Sequence, residues 1–398
     1  DTQRGDPYLR FDPENYFATA RRPQEVRSGR FGFHHQFSPA SDLIGSFIYT
    51  DVESKYTEPT LFETQVSDDG YIGEIQHILS GDAFHMTTGA GYLNGDREVA
   101  FNILFLGRTM KAQYTLEHLL GYVYASMNLP LDMTWTLGLS ANKFDGFVER
   151  EQLNPKIGVS WNIFDSTTLR AAAFRVLEDT QIAKQRLEPT QVAGFNQFFE
   201  EVLDGGEAVD ARNYGVGLDQ QLLHTLTGGI EFVRRKLDVP YLDIFNDSAE
   251  DVDWDEDTLR LYLYATPLNW LALDVGYQFE SFERDLQYVG DEVFLELDTH
   301  RFPMGIRFFS PAGWFAGVKA TYVDQEGRIG NRTENYPDDD RFWVFDADLG
   351  YRLPRRYGII TAEGKNIFDE SFKFQDTDPS SPTIFPDRQV LVKLTLSF

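Results

Sequence analysis

The chain has 398 residues, and its 36 Lys and Arg stand against 63 Asp and Glu, which gives a formal net charge of −27. This charge excludes a nucleic-acid-binding protein and a basic helix lying on an anionic membrane, because both need clustered positive charge. The hydrophobic fraction of 42% is too high for a disordered acidic chain, and the absence of cysteine excludes disulfides, thiolate metal sites and a cysteine nucleophile.

The pattern of apolar and polar residues changes near residue 28. Residues 1–27 are polar and weakly patterned, so the sequence does not place them. From residue 28 onward, apolar residues recur at every second position, which is the period of a β-strand with two different faces. In residues 133–142, for example, the odd positions from Met133 to Ala141 are apolar and the even positions are polar or Gly.

The number of strands in the middle of the chain decides at which end of the sheet the later short turns lie. If residues 188–199 formed a full strand, the short turns would change from one end of the sheet to the other midway along the chain. We therefore expect residues 178–210 to form one long outer loop, which can fold into the mouth of a barrel.

The second half continues the same alternation in residues 259–265, 271–280, 314–323 and 343–351. Short Pro-, Gly- or Asn-containing turns separate some of these segments, whereas long acidic connections separate others. We expect the acidic connections 243–257, 284–292, 326–341 and 376–386 to be outer loops. Short turns at one end and long loops at the other are typical of outer-membrane barrels.

These features together predict the fold class. Many strands reach ten residues, which suits a tilted strand that crosses a bilayer, and no apolar run approaches the length of a membrane helix. Polar residues on one face suit a wet lumen, and aromatic residues near strand ends suit the lipid interface. We predict an all-β, transmembrane, antiparallel outer-membrane β-barrel of about 16–18 strands, formed by residues 28–398, without a separate plug. A soluble all-β array is the alternative.

The last strand carries a second signal. Its alternate residues are apolar and its final residue is aromatic, as in terminal strands that the outer-membrane assembly machinery recognises through strand addition. The residues of this predicted assembly signal are Val390, Val392, Leu394, Leu396 and Phe398.

Three stretches resemble the C-terminal barrel of TonB-dependent outer-membrane receptors. Residues 363–372 (EGKNIFDESF) are similar to the "V-x-N-L-F-D-x-x-Y" segment near the end of those barrels. Residues 154–161 (NPKIGVSW) followed by 168–174 (TLRAAAF) are similar to their "N-P-K-x-G-x-x-Y … L-R-A-x-Y" hairpin, and residues 187–190 (LEPT) to the "L-K-P-E" that follows it. The resemblance spans roughly 154–398 and implies a transport barrel.

The chain also departs from that family. No stretch resembles the plug or the TonB box of these receptors. Residues 188–199 are similar to a part of outer-membrane proteins in which a periplasmic tetratricopeptide-repeat region precedes the barrel, and this implies a periplasmic partner or repeat region.

Charged and polar residues opposite the apolar sets are the candidate functional residues. An Arg or Lys facing lipid at mid-depth costs about 2–4 kcal/mol, so these residues should face the lumen, where they either select solutes or only hydrate the wall and pair with one another. The predicted lumen-facing residues are Arg260, Asp274, Gln278, Glu280, Arg307, Lys319, Asp346, Asp348 and Lys393.

Other site types are weakly supported. The carboxylates Asp251, Asp253, Asp255 and Asp257 alternate as in a calcium loop, but Glu256 stands where that loop needs Gly, so we favour a solvated acidic loop and expect no metal. The 338–340 acidic run is likewise expected to be a loop. The sequence has no nucleophile elbow, phosphate loop, dinucleotide fingerprint or haem motif, so we expect no cofactor and no enzyme.

The sequence thus predicts a multi-pass barrel in the outer membrane of a Gram-negative bacterium. Its expected function is passage of a solute or polymer. A scaffold barrel that anchors a partner complex is the alternative, and a hydrolase with a site at the barrel rim is a third hypothesis. The expected partners are outer-membrane lipid, lipopolysaccharide and the assembly machinery, with no nucleic acid. The acidic loops predict that an open pore prefers cations.

Overall fold

The computed structural model of the chain describes residues 2–7, 16–178, 186–198, 208–243, 248–285, 293–330, 335–375 and 384–397. Eighteen strands form one sheet, and two short strands form a separate hairpin. In chain order the strands are β1 (Thr2–Pro7), β2 (Tyr16–Ser38), β3 (Ser41–Glu58), β4 (Phe62–Ser80), β5 (Phe84–Ile103), β6 (Arg108–Leu129), β7 (Met133–Asp145), β8 (Glu149–Phe164), β9 (Thr167–Glu178), β10 (Gln191–Val192), β11 (Phe195–Asn196), β12 (Val209–Leu223), β13 (Leu226–Asp243), β14 (Ser248–Leu268), β15 (Leu271–Arg284), β16 (Val293–Phe309), β17 (Trp314–Gly330), β18 (Asn335–Arg352), β19 (Gly358–Lys365) and β20 (Gln389–Leu396).

Two single-turn 3₁₀ segments, Leu104–Leu106 and Pro354–Arg356, are the helical elements of the described residues. None of the described helices is long and apolar enough to cross a membrane.

Each strand of the sheet pairs antiparallel with the next one along the chain. The ladder runs from β1 to β9, passes from β9 to β12, and continues to β20. Eight short turns lie at one end, after Ser38, Ser80, Leu129, Phe164, Leu223, Leu268, Phe309 and Arg352. We call this the turn end and the opposite one the loop end. Short turns are typical of the periplasmic end of outer-membrane barrels.

The outer face near the turn end carries an apolar band with an aromatic girdle at each edge. Trp314 packs on Tyr351 at a ring-centroid distance of 4.7 Å, and Tyr322 packs on Trp343 at 5.2 Å. Trp314 and Tyr322 lie eight residues apart on β17, or about 27 Å along an extended strand. This distance is comparable with the apolar band of a membrane barrel, about 25 Å tall.

The alternation of apolar and polar residues reverses above this band. In β14, Leu261 and Leu263 lie on the outer face, whereas Val252 and Trp254, nearer the loop end, are buried on the inner face. Toward the loop end, therefore, the interior holds a packed apolar core. Its largest cluster contains Ala172, Phe174, Val176, Val192, Phe195, Val209, Ala211, Leu237, Val239, Val252, Trp254, Phe282, Phe294, Leu297 and Ile329.

The acidic stretches expected to be loops are largely strand, which corrects the sequence analysis. Residues 248–257 belong to β14 and residues 338–340 to β18. Cations on neighbouring strands pair with some of these carboxylates. Lys236, for example, lies 3.6 Å from Asp255, and Arg234 pairs with Asp257. Residues 16–27, which the sequence left unplaced, belong to β2. The predicted loops 284–292 and 376–386 lie mostly outside the described residues.

Candidate functional site in the barrel interior

The inner face at the depth of the apolar band carries ionised side chains. One register row joins Arg170 on β9 through Gly217 to Glu231 on β13, and from there to Arg260 on β14. The guanidinium of Arg170 lies 5.1 Å from the ring of Phe195, which belongs to the separate hairpin inside the sheet. This contact shows that the row faces the interior.

The structure brings the nine predicted lumen residues onto this same face. Gln278 and Arg260 oppose each other in the row, and Asp274, Gly305, Lys319 and Asp346 form a second row. Most of these residues form ion pairs. The nitrogen–oxygen distances of these pairs are 2.5 Å for Glu280 with Arg301, 3.0 Å for Arg307 with Asp348, 3.1 Å for Lys393 with Glu363, 3.3 Å for Asp346 with Lys365 and 3.9 Å for Arg260 with Glu231.

The arrangement between β9 and β20, which we call the inner belt, is balanced in charge. Its cations are Arg170, Arg260, Arg301, Arg307, Lys319, Lys365 and Lys393, and its anions are Asp219, Glu231, Asp274, Glu280, Asp346, Asp348 and Glu363. Glycines make room for pairing across an intervening strand. A Cβ at Gly317 would lie 2.5 Å from Asp348 Oδ1 and 3.2 Å from Arg307 Nε.

Residues 186–198 pack against the inner wall and end in a tight hairpin made of β10 and β11. Ala193 and Gly194 connect the two strands with φ angles of 47° and 87°. Two central residues with positive φ are what a type I′ turn requires, and the turn suits Gly194 better than Ala193. Val192 and Phe195, on either side of the turn, are almost completely buried.

Two glycines of the barrel wall, Gly158 and Gly215, leave the space into which this hairpin packs, and we call this space the glycine seat. A Cβ at Gly158 on β8 would lie 2.7 Å from the Cβ of Ala193 and 2.8 Å from Cγ1 of Val192. A Cβ at Gly215 on β12 would lie 2.4 Å from Cδ1 of Phe195. Because real Cβ contacts are longer than this, a larger residue at either position displaces the hairpin or the wall.

Glu188 fixes the hairpin to the wall from one side. Its carboxylate accepts a hydrogen bond of 2.6 Å from the Tyr124 hydroxyl and lies 3.9 Å from the Lys156 ammonium. The side chains of Lys156 and Glu188 are only 1% and 6% exposed. The side-chain amide of Gln197 donates a hydrogen bond of 2.6 Å to the carbonyl of Pro189, which holds the two arms of the segment together.

Glu74 on β4 fixes it from the other side. Its carboxylate accepts a hydrogen bond of 2.6 Å from the backbone N–H of Leu187 and one of 2.9 Å from the Tyr122 hydroxyl. The amide of Gln76 donates to the carbonyl of Leu187 and, at 3.1 Å, to the Tyr122 hydroxyl. Leu187 and Glu188 are consecutive, so these buried polar contacts hold the first arm of the segment, and the Tyr124 hydroxyl also lies 3.1 Å from the side-chain oxygen of Gln197 on the second arm.

The block at 366–369 holds a second segment, residues 366–375 and 384–386, inside the barrel. Asn366 has a φ angle of 43°, and its backbone N–H donates to Asp346 at 3.0 Å. Its side-chain amide nitrogen lies 2.9 Å from the Glu370 carbonyl, 3.3 Å from that of Phe385 and 3.2 Å from that of Pro386. Asn366 thus turns the chain inward at the end of β19 and fastens the returning segment.

The second segment packs on the wall through apolar and amide contacts. Gln325 on β17 donates to the Gln375 carbonyl at 3.0 Å and accepts from the Gln375 N–H at 2.8 Å. The apolar cluster at this seat contains Val323, Phe342, Val344, Phe372, Phe374 and Ile384. Both internal segments leave the wall at the loop end.

The four alternating aspartates lie on β14 near the loop end, where Asp253, Asp255 and Asp257 face outward. Asp251 pairs with Arg150, and Asp255 and Asp257 pair with cations of β13. Across the described part of the chain, no group of three or more His, Asp or Glu side chains could hold a metal ion.

Two Ser–His pairs lie at the turn end, one of the two rims of the barrel. Ser41 lies 2.9 Å from His77, and Ser80 lies 3.0 Å from His85. In the described residues no carboxylate lies on the ring of either histidine; the rim carboxylate Asp42 contacts His34 instead, at 2.7 Å. The residues do not form a Ser–His–Asp arrangement.

The predicted assembly signal lies on the last strand. Val390, Val392, Leu394 and Leu396 share the outer face of β20 and are exposed. Phe398 lies outside the described residues. The sequence predicted eight of the fourteen belt residues. It did not predict the packed core above the belt, the glycine seat or the other six belt residues, which are Arg170, Arg301, Lys365, Asp219, Glu231 and Glu363. Gly158 and Gly215 are visible in the sequence as small residues on polar strand faces, but a single sequence does not show what packs on them.

Comparisons with known proteins identify the fold. No protein-family model and no curated protein sequence matches the chain. The closed form of the ferric-catecholate import receptor Fiu from Escherichia coli K12 superposes with a TM-score of 0.64 at 10% identity, over 95% of this chain and 65% of that one. The unliganded ferric citrate transporter FecA gives 0.63 at 14% identity, over 95% and 62%. The copper transporter OprC gives 0.63 at 14% identity, over 96% and 67%.

These similar structures are TonB-dependent receptor barrels, the class that residues 363–372 resemble. The chain spans about two thirds of the length of each of them. At such low identity the similarity shows the fold alone. It confirms the predicted antiparallel outer-membrane barrel class and supports a location in a Gram-negative outer membrane.

Proposed function

We propose that the chain forms the wall of an outer-membrane transporter that passes a solute or polymer through its interior. The inner belt carries this proposal, because ionised side chains at the depth of the apolar band are stable where they face a polar interior and not lipid. Lipid and lipopolysaccharide surround the outer face, and the assembly machinery acts on β20. A periplasmic partner or repeat region completes the expected set of partners.

The hairpin segment 186–198 is the constriction of this conduit. It occupies interior space beside the inner belt, and its Phe195 stacks on Arg170 of the belt. The belt is balanced in charge, so it binds single ions weakly. The surplus of acid lies nearer the loop end, for example at residues 338–340. We therefore assign the cation preference to the mouth and not to the belt.

Planar-bilayer conductance of the purified protein, with and without residues 178–210, tests the proposal. We expect the shortened protein to conduct more than the full chain and the full chain to show cation-selective reversal potentials in a KCl gradient. At about 1 M salt the Debye length shrinks to about 3 Å, so selectivity from the mouth should flatten. An anion-selective or unselective current at low salt contradicts the cation assignment.

A scaffold barrel is the second candidate, and the packed interior favours it. The apolar clusters near the loop end and the second internal segment fill the interior with residues of the chain itself. A barrel filled in this way can anchor a partner without passing anything. Absence of conductance in both forms of the protein, with the barrel folded, would support the scaffold and reject the transporter. The Ser–His geometry gives no support to a hydrolase.

A further inference from the structure

The barrel wall binds the main chain of the hairpin segment 186–198 at Leu187. Glu74 accepts a hydrogen bond of 2.6 Å from the Leu187 N–H, and the side-chain amide of Gln76 donates to the Leu187 carbonyl. The backbone of β4 at these two residues pairs with β3 and β5, so the wall makes these contacts with side chains. Because almost every residue carries an N–H and a C=O, this pair of wall residues can bind a peptide of any sequence at this point.

The wall also binds two side chains of the segment. The carboxylate of Glu188 accepts a hydrogen bond of 2.6 Å from the Tyr124 hydroxyl and lies 3.9 Å from the Lys156 ammonium. The ring of Phe195 lies 5.1 Å from the guanidinium of Arg170. These contacts define three subsites of the wall, which we call the amide subsite (Glu74 and Gln76), the carboxylate subsite (Tyr124 and Lys156) and the aromatic subsite (Arg170).

Contacts within the wall hold the subsites in place. The Tyr122 hydroxyl donates to Glu74 at 2.9 Å and accepts from the Gln76 amide at 3.1 Å. The corresponding nitrogen–oxygen distances at the other two subsites are 3.1 Å from Lys156 to the Arg175 carbonyl, 2.7 Å from Arg170 to Asp219 and 3.1 Å from Arg170 to Glu231. None of these contacts involves the segment, so we expect the subsites to keep their geometry when it leaves, which favours binding of a second ligand.

A ligand opens the constriction only if it binds the protein with the segment released more tightly than the protein with the segment in place. The Lys156 side chain is 1% exposed, so release of Glu188 leaves its ammonium without its anion, which is unfavourable. A solute that supplies a carboxylate and a peptide bond to the same wall groups removes this cost. A neutral solute without an amide does not.

We propose that the three subsites form a binding site for an oligopeptide that carries an acidic residue and an aromatic residue. The segment 186–198 occupies this site as a tethered substitute until such a peptide displaces it. The inference rests on the proposed transport function and deepens it, because it names acidic peptides as the class of solute that opens the constriction.

Peptide binding to the purified protein tests the site. In the test protein a Gly/Ser linker of equal length replaces residues 186–198, and heat-modifiability on a gel shows that the barrel is folded. The probe is a fluorescein-labelled synthetic peptide with the sequence of residues 186–198 (RLEPTQVAGFNQF). We expect saturable binding by fluorescence anisotropy, and about 10-fold weaker binding of the same peptide with Glu188→Gln, because the carboxylate subsite then loses its charged partner.

A pair of tyrosine variants of the test protein checks the carboxylate subsite. Tyr124→Phe removes the hydroxyl that binds Glu188 and should weaken peptide binding about 10-fold. The matched control is Tyr92→Phe on the outer face of β5, where the hydroxyl donates to Glu117 at 3.3 Å, and it should leave the affinity unchanged. No saturable binding to the folded test protein, equal affinity for the Glu188→Gln peptide, or equal affinity of the two tyrosine variants overturns the proposal.

The unchanged protein tests displacement. There the tethered segment competes at an effective concentration on the order of 1 mM, so the peptide should bind only in that range and should make the segment sensitive to protease. Binding as tight as in the test protein, or binding without protease sensitivity, contradicts displacement. Conductance separates the two proposals: a test protein that binds the peptide but does not conduct supports the site and rejects the transporter, whereas one that conducts without binding the peptide rejects only the site.

Discussion

The glycine seat of the hairpin offers a direct test of the proposed constriction. Gly215→Val places a Cβ about where the ring of Phe195 lies, since the ideal Cβ would be 2.4 Å from Cδ1 of that ring. The hairpin can remain seated only if the ring moves by more than 1 Å, roughly the deficit from ordinary van der Waals contact.

The expected size of the effect follows from packing energetics. Extra methyl groups in a packed site cost about 1–3 kcal/mol. At 1.4 kcal/mol for each factor of ten, this shifts the ratio of seated to released hairpin by about 5- to 150-fold. Val is favourable in strands, so the wall itself should tolerate the change.

The assay combines single-channel conductance with limited proteolysis of residues 186–198. Gly215→Val should raise conductance and expose the segment to protease. The matched control is Gly121→Val on β6, because the nearest atom to a Cβ there is a backbone oxygen 4.0 Å away. If the segment becomes protease-sensitive while conductance remains at the control value, the hairpin is not the constriction. The inference that displacing the hairpin opens the conduit is then refuted.

Three further substitutions test contacts elsewhere. Lys156→Met leaves Glu188 buried without its cation and should destabilise the seated segment by about 3–5 kcal/mol, seen as protease sensitivity, whereas adding Glu188→Gln should restore most of the loss. The hydrogen bond from Lys143 lowers the pKa of Glu151 at the loop end. Both side chains are exposed, so solvent screening keeps the contribution of this pair small, and the slight stability lost in Glu151→Gln at about pH 7 should vanish as pH falls through that lowered pKa or as salt is added, as measured by thermal unfolding. Deleting Phe398 should lower the heat-modifiable, folded fraction in the membrane, and normal insertion would contradict the assembly-signal hypothesis.

Much of the membrane-level architecture could be predicted from alternation alone. In residues 271–280 of β15 and 316–322 of β17 the apolar set lies on one face, so lipid-facing Val275 and Val318 and inward-facing Asp274 and Lys319 follow from position. The period of a strand is local information, and the bilayer forces one face to be apolar.

The region beyond the bilayer could not be predicted in the same way. There Asp253, Asp255 and Asp257 face outward on β14, and in the sequence such an acidic run is typical of a loop. The buried Val252 and Trp254 that alternate with them lie on the inner face of the strand. The inner positions are apolar and the outer ones charged, as in a soluble protein, so the phase of the alternation changes within one strand. A prediction that expects the apolar residues on the same face of a strand throughout therefore does not assign such a stretch to a strand.

This change of phase also bears on how a transporter of this shape can work. At the depth of the apolar band the interior is charged and paired, whereas above it Trp254 and Phe282 pack edge to face at 5.4 Å within an apolar core. A polar solute that entered from the loop end would have to displace that core or pass between it and the second internal segment. Val192 and Phe195 of the hairpin belong to that core. Because a packed core resists local displacement more than paired charges beside water do, we expect the core together with the hairpin, and not the inner belt, to set the barrier to passage.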